Sequence, residues 1–264
     1  MVLDREIIWE LVNVSLGRAS TDDHIERAFI KVHSGEKVAL IGEHHSGRKI
    51  LLRAMSGLRP IKSGQMKVLG HLCVAEENFE QDWDRLLPRE IRSKIGVSLD
   101  VEGLLSNVSV REGLEMLFRF RYGDHNTKLR LGAQKVVESL CRHFNIEAIV
   151  DKRPVNLSRT QRRLASLARA FLSKPRVVLL EDPSDGVGEL HFHLLRKALD
   201  FIFEAEERTV LLSTENFSLA SKYCSRWVVF EKGKIIFDGQ SVDFIKMEHP
   251  LAEQASKILD SQAA

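Results

Sequence analysis

The chain has 264 residues, of which 44% are hydrophobic, and this is enough apolar material for one large domain with a full interior. Because 39 basic residues face 37 acidic ones, the net charge of +2 is too small to indicate nucleic acid or an anionic membrane surface as the main partner. The three cysteines, Cys73, Cys141 and Cys224, are far apart and odd in number. They therefore indicate neither a disulfide framework nor a metal knuckle, and they favour a reducing compartment.

The N-terminal segment MVLDREIIWELVNVSLG carries acidic residues inside its short apolar stretches, so it does not resemble a secretory signal. No window approaches the roughly 18 uninterrupted apolar residues of a membrane-spanning helix. We therefore expect any membrane role to depend on a partner.

Short β-rich runs alternate with helical patterns along the chain. Strands are predicted at 6–16, 25–32, 37–42, 65–72, 176–182 and 209–214, followed by a hairpin at 227–239 that turns at Lys232 and Gly233. Apolar residues at helical spacing predict helices at 45–58, 110–123, 128–144, 160–173 and 190–207. Nearly continuous apolar strands, such as 177–180 and 210–212, predict a parallel sheet covered on both faces.

The segment ALIGEHHSGRKILLRAMSGL has the outline of a phosphate-binding loop. An apolar run ends at Gly42, four residues follow, and Gly47 opens a helical pattern. In such loops the amides and a lysine hold phosphates while a Ser or Thr hydroxyl binds Mg²⁺, but here those two positions are Arg48 and Lys49. Two interpretations stay open: a basic surface loop that binds nothing specific, or weak, metal-poor phosphate binding at a helix N-terminus.

The order of this loop and the segments that follow it resembles the nucleotide-binding subunit of an ATP-binding cassette (ABC) transporter. Those segments are PIKSGQMKVLGHL, SNVSVREGLEMLF, LSRTQRRLASLARAFLSKPRVVLLEDPSDGV and TVLLSTENFSLASKYCSRWVVFEKGKIIFDGQ, and the resemblance covers about residues 5–243. It implies an α/β fold with a RecA-like P-loop NTPase core, an antiparallel β subdomain and a helical subdomain at about 100–170. It also implies a cassette domain at 1–243 and a C-terminal helical tail at 244–264.

The resemblance places the nucleotide-binding positions at Gly42, Ser46, Gly47, Arg48, Lys49, Ile50 and Asp100. Arg48 stands where the family has lysine, and Lys49 stands where it has the Mg²⁺-binding hydroxyl, which an ammonium cannot replace. Shifting the frame by one residue does not help, because Ile50 would then face the metal. His45 replaces a glycine, so we expect a strained backbone there. Asp100 stands where the family has a glutamine that links the metal site to the transmembrane partner.

The implied catalytic positions are Glu181, Asp182 and Glu215. The family has Asp and then Glu at the first two, to support Mg²⁺ and to polarise the attacking water, whereas here the order is reversed. Because each carboxylate is displaced by a methylene, we expect Asp182 to reach the water only through movement or a second water. Glu215 replaces a histidine, and its charge would repel the γ-phosphate. The alternative is that Glu181 and Asp182 form a buried polar strand end that caps the sheet.

The family signature LSGGQ is represented by Leu157, Ser158, Arg159, Thr160 and Gln161. Arg159 and Thr160 replace two glycines that let the helix N-terminus approach a γ-phosphate held by the opposite subunit. Two interpretations stay open for Arg159. Its guanidinium contacts nucleotide bound by a partner subunit, as finger arginines do, or it is a solvated arginine at a dimer seam.

Segments that build the scaffold keep their expected residues. In SNVSVREGLEML, Ser109 is predicted to cap a helix with Glu112 three residues later. The tail GQSVDFIKMEHPLAEQASKILDSQAA looks like the closing helices of cassette subunits in lipid-trafficking transporters with MCE proteins. A preserved scaffold with altered chemistry favours a degenerate, pseudo-ATPase cassette.

The resemblance predicts a catalytically degenerate cassette subunit of a membrane transporter, with lipid as a candidate cargo. The alternative is an active but atypical ABC ATPase that drives transport. ATP binding is possible, Mg²⁺ binding is in doubt, hydrolysis is left open and no separate metal site is predicted. The predicted partners are a transmembrane permease and a second cassette chain, without nucleic acid, and a heterodimer is favoured because a homodimer would have two damaged sites. The predicted location is cytoplasmic, on the inner face of the membrane through the permease.

Overall fold

The structure is a computed structural model that describes residues 5–17, 23–74, 87–99, 103–122 and 127–263. In these ranges the strands are β1 (Ile7–Leu16), β2 (Ile25–His33), β3 (Lys37–Ile41), β4 (Ser63–Val68), β5 (His71–Val74), β6 (Ile95–Ser98), β7 (Val177–Glu181), β8 (Thr209–Thr214), β9 (Arg226–Glu231) and β10 (Lys234–Gln240). The helices are α1 (Arg48–Met55), α2 (Arg89–Arg92), α3 (Val110–Tyr122), α4 (Thr127–Phe144), α5 (Arg159–Ala170), α6 (Phe192–Phe203), α7 (Phe217–Tyr223), α8 (Ser241–Phe244) and α9 (Pro250–Ala263).

The chain divides into two compact units. Unit 1 consists of Met1–Ile95, Leu179–Glu181 and Glu207–Ala264, and unit 2 consists of Gly96–Val178 and Asp182–Glu206. The phosphate-binding loop therefore belongs to unit 1, and the signature segment belongs to unit 2.

Unit 1 contains a small antiparallel sheet with the strand order β2-β1-β4-β5. The run predicted as one strand at 65–72 is instead a hairpin, in which β4 and β5 are joined by a turn at Leu69 and Gly70. Both turn residues have positive φ angles, 48° and 81°, as the tight hairpin turns that match strand twist require. Side-chain alternation predicted this β-rich run but could not show where the chain reverses.

The larger sheet has the strand order β10-β9-β3-β8-β7-β6. Strand β3 pairs in parallel with both β8 and β9, while β9 and β10 form an antiparallel hairpin. The predicted turn at Lys232 and Gly233 is confirmed, with φ angles of 46° and 79°. Strands β7 and β8 are buried at every position, which agrees with a parallel sheet covered on both faces and confirms the α/β class.

Unit 2 is mainly helical over residues 103–122 and 127–170. Its interior includes an aromatic cluster of Phe144, Phe171 and Phe201, with ring centroids 5.5 to 5.8 Å apart. At the start of α3 the Ser109 hydroxyl accepts the Glu112 amide N–H at 3.2 Å, and the Glu112 carboxylate accepts the Ser109 amide N–H at 2.8 Å. This confirms the predicted cap.

The sequence patterns did not indicate three short elements: β6, α2 and α7. They have 4, 4 and 7 residues, and segments this short contain too few positions to show a hydrophobic period. Among the described helices, none combines the length and the apolar character that a bilayer crossing requires.

Candidate functional site

The phosphate-binding loop lies between the end of β3 at Ile41 and the start of α1 at Arg48. Gly47 has a φ angle of 98°, and a Cβ atom added there would collide with the His24 backbone carbonyl, so only glycine fits. His45 has a φ angle of 62°, which confirms the backbone strain expected where the family has glycine. The loop thus keeps a tight turn despite its unusual residues.

Arg48 turns back towards the strand ends. Its side chain is 1% exposed, and its Nε donates to the Gly42 carbonyl at 2.8 Å. Its Nη1 donates to the Ser213 hydroxyl at 2.8 Å, and its Nη2 donates to Glu215 Oε1 at 2.7 Å. Because β3 and β8 are parallel neighbours, Gly42, Ser213 and Glu215 meet at the same edge of the sheet.

Glu215 connects this arginine to the tip of the loop. The same Oε1 atom lies 3.1 Å from Nδ1 of His44. Burial raises the pKa of Glu215, but the hydrogen bonds from His44 and Arg48 outweigh it and hold that pKa below its usual value. Sequence reasoning selected Glu215 and Arg48 separately, and the structure shows that they pair with each other.

Glu181 lies at the end of β7 and is fully buried. Its Oε1 and Oε2 atoms accept hydrogen bonds from Arg53 Nη2 at 2.8 Å and Arg53 Nε at 3.2 Å. This is a bidentate, charge-assisted pair between α1 and the β7 end within unit 1. Sequence reasoning missed Arg53, although a carboxylate predicted to be buried at a strand end already required a cation nearby.

The other members of the predicted nucleotide site differ in exposure. Ile50 is buried and Lys49 is half-buried. Ser46 is 4% exposed, and within the described ranges its Oγ has no hydrogen-bond partner. Asp100 lies outside the described residues.

The residues of the loop fit a phosphate better than they fit Mg²⁺. An orphaned buried hydroxyl on Ser46, just before the N-terminus of α1, is a donor available to an anion. Mg²⁺ requires oxygen ligands in near-octahedral geometry, but Lys49 offers none and the Glu181 carboxylate is held by Arg53. In the described part of the chain no group of three or more His, Cys, Asp or Glu side chains is arranged to hold a metal.

Asp182 belongs to unit 2 and is 7% exposed. Its φ angle of 41° is in the left-handed region, which is costly for a residue with a side chain. Its carbonyl accepts the Asp185 amide N–H at 3.0 Å, which closes a turn. Asp182 and Glu181 are both buried, which agrees with the alternative of a polar strand end, and their chemical roles stay predictions.

Two signature residues act as a helix cap. Ser158 Oγ accepts the Gln161 amide N–H at 3.2 Å, and Gln161 Oε1 accepts the Ser158 amide N–H at 2.9 Å. This reciprocal capping box begins α5. Leu157 and Thr160 are buried at 5% and 6% exposure. The backbone N-terminus of α5 is therefore well formed with Arg159 and Thr160 in its first turn.

Arg159 is 59% exposed and its Nη2 donates to Asp185 Oδ2 at 2.9 Å. Its side chain passes over Gly186, so closely that a Cβ atom there would collide with Arg159 Nε. Within unit 2, the Arg159 guanidinium is therefore positioned by its ion pair with Asp185 and by its close packing against Gly186.

We expect Gly186→Ala to lower the free energy of unfolding by about 1–2 kcal/mol, because a φ angle of 70° strains any side chain and the methyl displaces Arg159. Urea unfolding measures the change. Gly188→Ala is the matched control, since Gly188 has a φ angle of −67° and open space around it. Equal effects of the two substitutions would contradict the expectation.

Comparison with known proteins settles the family. The ABC transporter family model matches residues 25–185, which is more than half of the chain. This chain belongs to the ABC transporter family. The predicted resemblance is confirmed at this level, although the degeneracy of the motifs stays a hypothesis.

Two relatives of this ABC cassette illustrate the range of the family. A Nod factor export ATP-binding protein I from Rhizobium sp. (strain N33) is 28% identical over 79% of this chain and 63% of its own length. A phosphonates import ATP-binding protein from Trichormus variabilis is 26% identical over 79% of this chain and 82% of its own length. The chain thus spans less than two thirds of the Nod factor relative.

A solved dimeric ATP-binding cassette in a post-hydrolysis state, bound to ADP and Pi, superposes with a TM-score of 0.73. The match covers 88% of this chain and 98% of the other at 20% identity, so it shows the fold alone. This confirms the predicted RecA-like ABC cassette architecture.

Proposed function

We propose that this ABC cassette is a subunit of a membrane transporter that has lost Mg²⁺-dependent ATP hydrolysis. It pairs with a second cassette chain and docks a transmembrane permease at the cytoplasmic face of the membrane. The observation that carries the proposal is the bidentate pair between Arg53 and the fully buried Glu181. A guanidinium from α1 neutralises the carboxylate that the family uses to support the metal.

The argument concerns charge balance at a buried site. A buried carboxylate is stable only with a counter-charge and hydrogen bonds, and Arg53 supplies both. A divalent cation at Glu181 would have to displace Arg53. It would then lack a hydroxyl ligand, because Lys49 occupies that position. Nucleotide is therefore expected to bind weakly, through its phosphates, without Mg²⁺.

The pairing with a second chain follows from the composite sites of the family. A homodimer would combine Arg48 of one copy with Arg159 of the other at both sites, so neither site would have the usual donors. A heterodimer with an intact cassette leaves one site with an unaltered phosphate loop facing Ser158 and Arg159. In that site Arg159, oriented by Asp185, contacts the partner's nucleotide.

The relatives differ in their cargo, since one is named for Nod factor export and another for phosphonate import. Lipid cargo is supported only by the resemblance of the C-terminal tail. The division into a cassette at 1–243, a helical subdomain at about 100–170 and a tail at 244–264 belongs to the same proposal.

A second candidate function is an active but atypical ATPase. The observation that favours it is the left-handed backbone of Asp182, with a φ angle of 41°, because strained residues gather at catalytic sites. In that case Asp182 orients the attacking water and Glu181 exchanges Arg53 for the metal.

We expect the purified chain to release no phosphate from ATP above the level of Asp182→Asn, with or without Mg²⁺. A coupled phosphate assay measures the rate, and an affinity-tagged chain expressed in its own host tests for a cassette chain and a permease at fixed stoichiometry. Mg²⁺-dependent release that Asp182→Asn abolishes would establish the second candidate instead. Isolation of a homodimer bound to a permease would overturn the proposed pairing.

A further inference from the structure

The Arg48 guanidinium already has an anion bound to it. Three donor atoms of Arg48 reach the Gly42 carbonyl, the Ser213 hydroxyl and the Glu215 carboxylate. Of these three acceptors only Glu215 is charged, and Arg48 is 1% exposed. A buried cation is stable only when an anion neutralises it, so this carboxylate stabilises the observed position of Arg48.

Glu215 can leave this position more readily than Arg48 can. It directly follows β8, and its side chain is 49% exposed, so its carboxylate can be solvated without unfolding the strand. The same carboxylate oxygen contacts both Arg48 and His44, at 2.7 and 3.1 Å. Movement of Glu215 therefore withdraws one carboxylate oxygen from Arg48 Nη2 at the helix start and from His44 Nδ1 at the loop tip together.

We propose that Glu215 is a tethered competitor that occupies the place of a phosphate at this loop and so lowers the affinity of the nucleotide site for its ligand. The inference rests on the proposed function, in which the loop binds a polyphosphate anion without Mg²⁺. The anion binds when the carboxylate turns towards solvent, and its oxygens then accept hydrogen bonds from Arg48, His44 and the orphaned Ser46 hydroxyl. Glu215 thus sets the affinity of the loop for triphosphates.

The test is a calorimetric titration of Glu215→Gln and the unaltered chain with ATP and, separately, with inorganic tripolyphosphate, both in excess EDTA. The amide keeps the shape of the side chain but removes its charge. We expect affinity for both anions to rise about tenfold, the worth of one charge-assisted hydrogen bond at a half-exposed position. Equal gains for the two anions locate the effect at the phosphates.

Glu43→Gln is the matched control, because it removes the same charge from an exposed side chain in the same loop. It is expected to change affinity less than about twofold, since exposed charges are screened. The double substitution Arg48→Met with Glu215→Gln is expected to lose the gain. If Glu43→Gln and Glu215→Gln raised anion affinity equally, the gain would come from the lower net negative charge near the loop and not from the Glu215 contact. That result would overturn the inference.

If Glu215→Gln proves unstable by thermal unfolding, Glu215→Asp serves instead, since its shorter side chain keeps the charge but loosens the contact with Arg48. Unchanged affinity in a folded variant overturns the inference while the proposed function stands, provided that the unaltered chain releases no phosphate. Mg²⁺-dependent phosphate release by the unaltered chain overturns the proposed function, and a tenfold gain in EDTA would still support the tethered carboxylate.

Discussion

Replacing Arg53 by methionine is expected to lower the free energy of unfolding by about 3–5 kcal/mol, because the substitution leaves the Glu181 carboxylate buried without its counter-charge. Glu181 is fully buried, whereas Arg53 is 35% exposed, so water reaches the arginine but not the carboxylate it neutralises. Urea unfolding of the purified variants at neutral pH measures the loss. This is the stability effect of the pair on which the proposed function depends.

Two further variants isolate the cause. Arg59→Met changes an exposed arginine just beyond α1 and is expected to shift stability by less than about 0.5 kcal/mol. Arg53→Met combined with Glu181→Met removes both charges and is expected to recover most of the loss. If the double variant were as unstable as Arg53→Met alone, the arginine would act through packing and not through charge.

Trp9→Ala is expected to cost about 3–5 kcal/mol, because Trp9 is fully buried and its removal leaves a cavity beneath α1. The indole Nε1 also donates to the Met55 carbonyl at 3.1 Å, which ties β1 to the end of the helix that carries Arg48 and Arg53. Trp9→Phe keeps most of the volume but loses this hydrogen bond, so it should cost about 1–2 kcal/mol. Urea unfolding measures both values.

Phe29→Ala is the control for the tryptophan substitutions, because Phe29 lies in the same small sheet but is 59% exposed. Its loss is expected to stay below about 1 kcal/mol. A comparable loss from Phe29→Ala would show that the small sheet is sensitive to any aromatic truncation. The loss from Trp9→Ala could then not be assigned to its packing against α1.

The elements of this fold were predictable where local chemistry decides them. The β9–β10 turn follows from Lys232 and Gly233, and the start of α3 follows from Ser109 and Glu112, because residues a few positions apart create these features. The four-residue strand β6 was missed since it is too short to show a period. The hairpin inside 65–72 was missed because strand propensity continues across its turn.

The sequence by itself determined the family and the order of the main strands and helices, and it led to the hypothesis that the nucleotide motifs depart from their usual residues. Only the tertiary structure decided what those unusual residues contact. Arg48 pairs with Glu215 across 167 positions, and Arg53 pairs with Glu181 across 128. No local pattern links residues so far apart. Arg48 begins α1 beside the carboxyl ends of the parallel strands β3 and β8, whereas Arg53 in the last turn of α1 reaches Glu181 at the end of β7. Each pair forms because a buried charge requires an opposite charge.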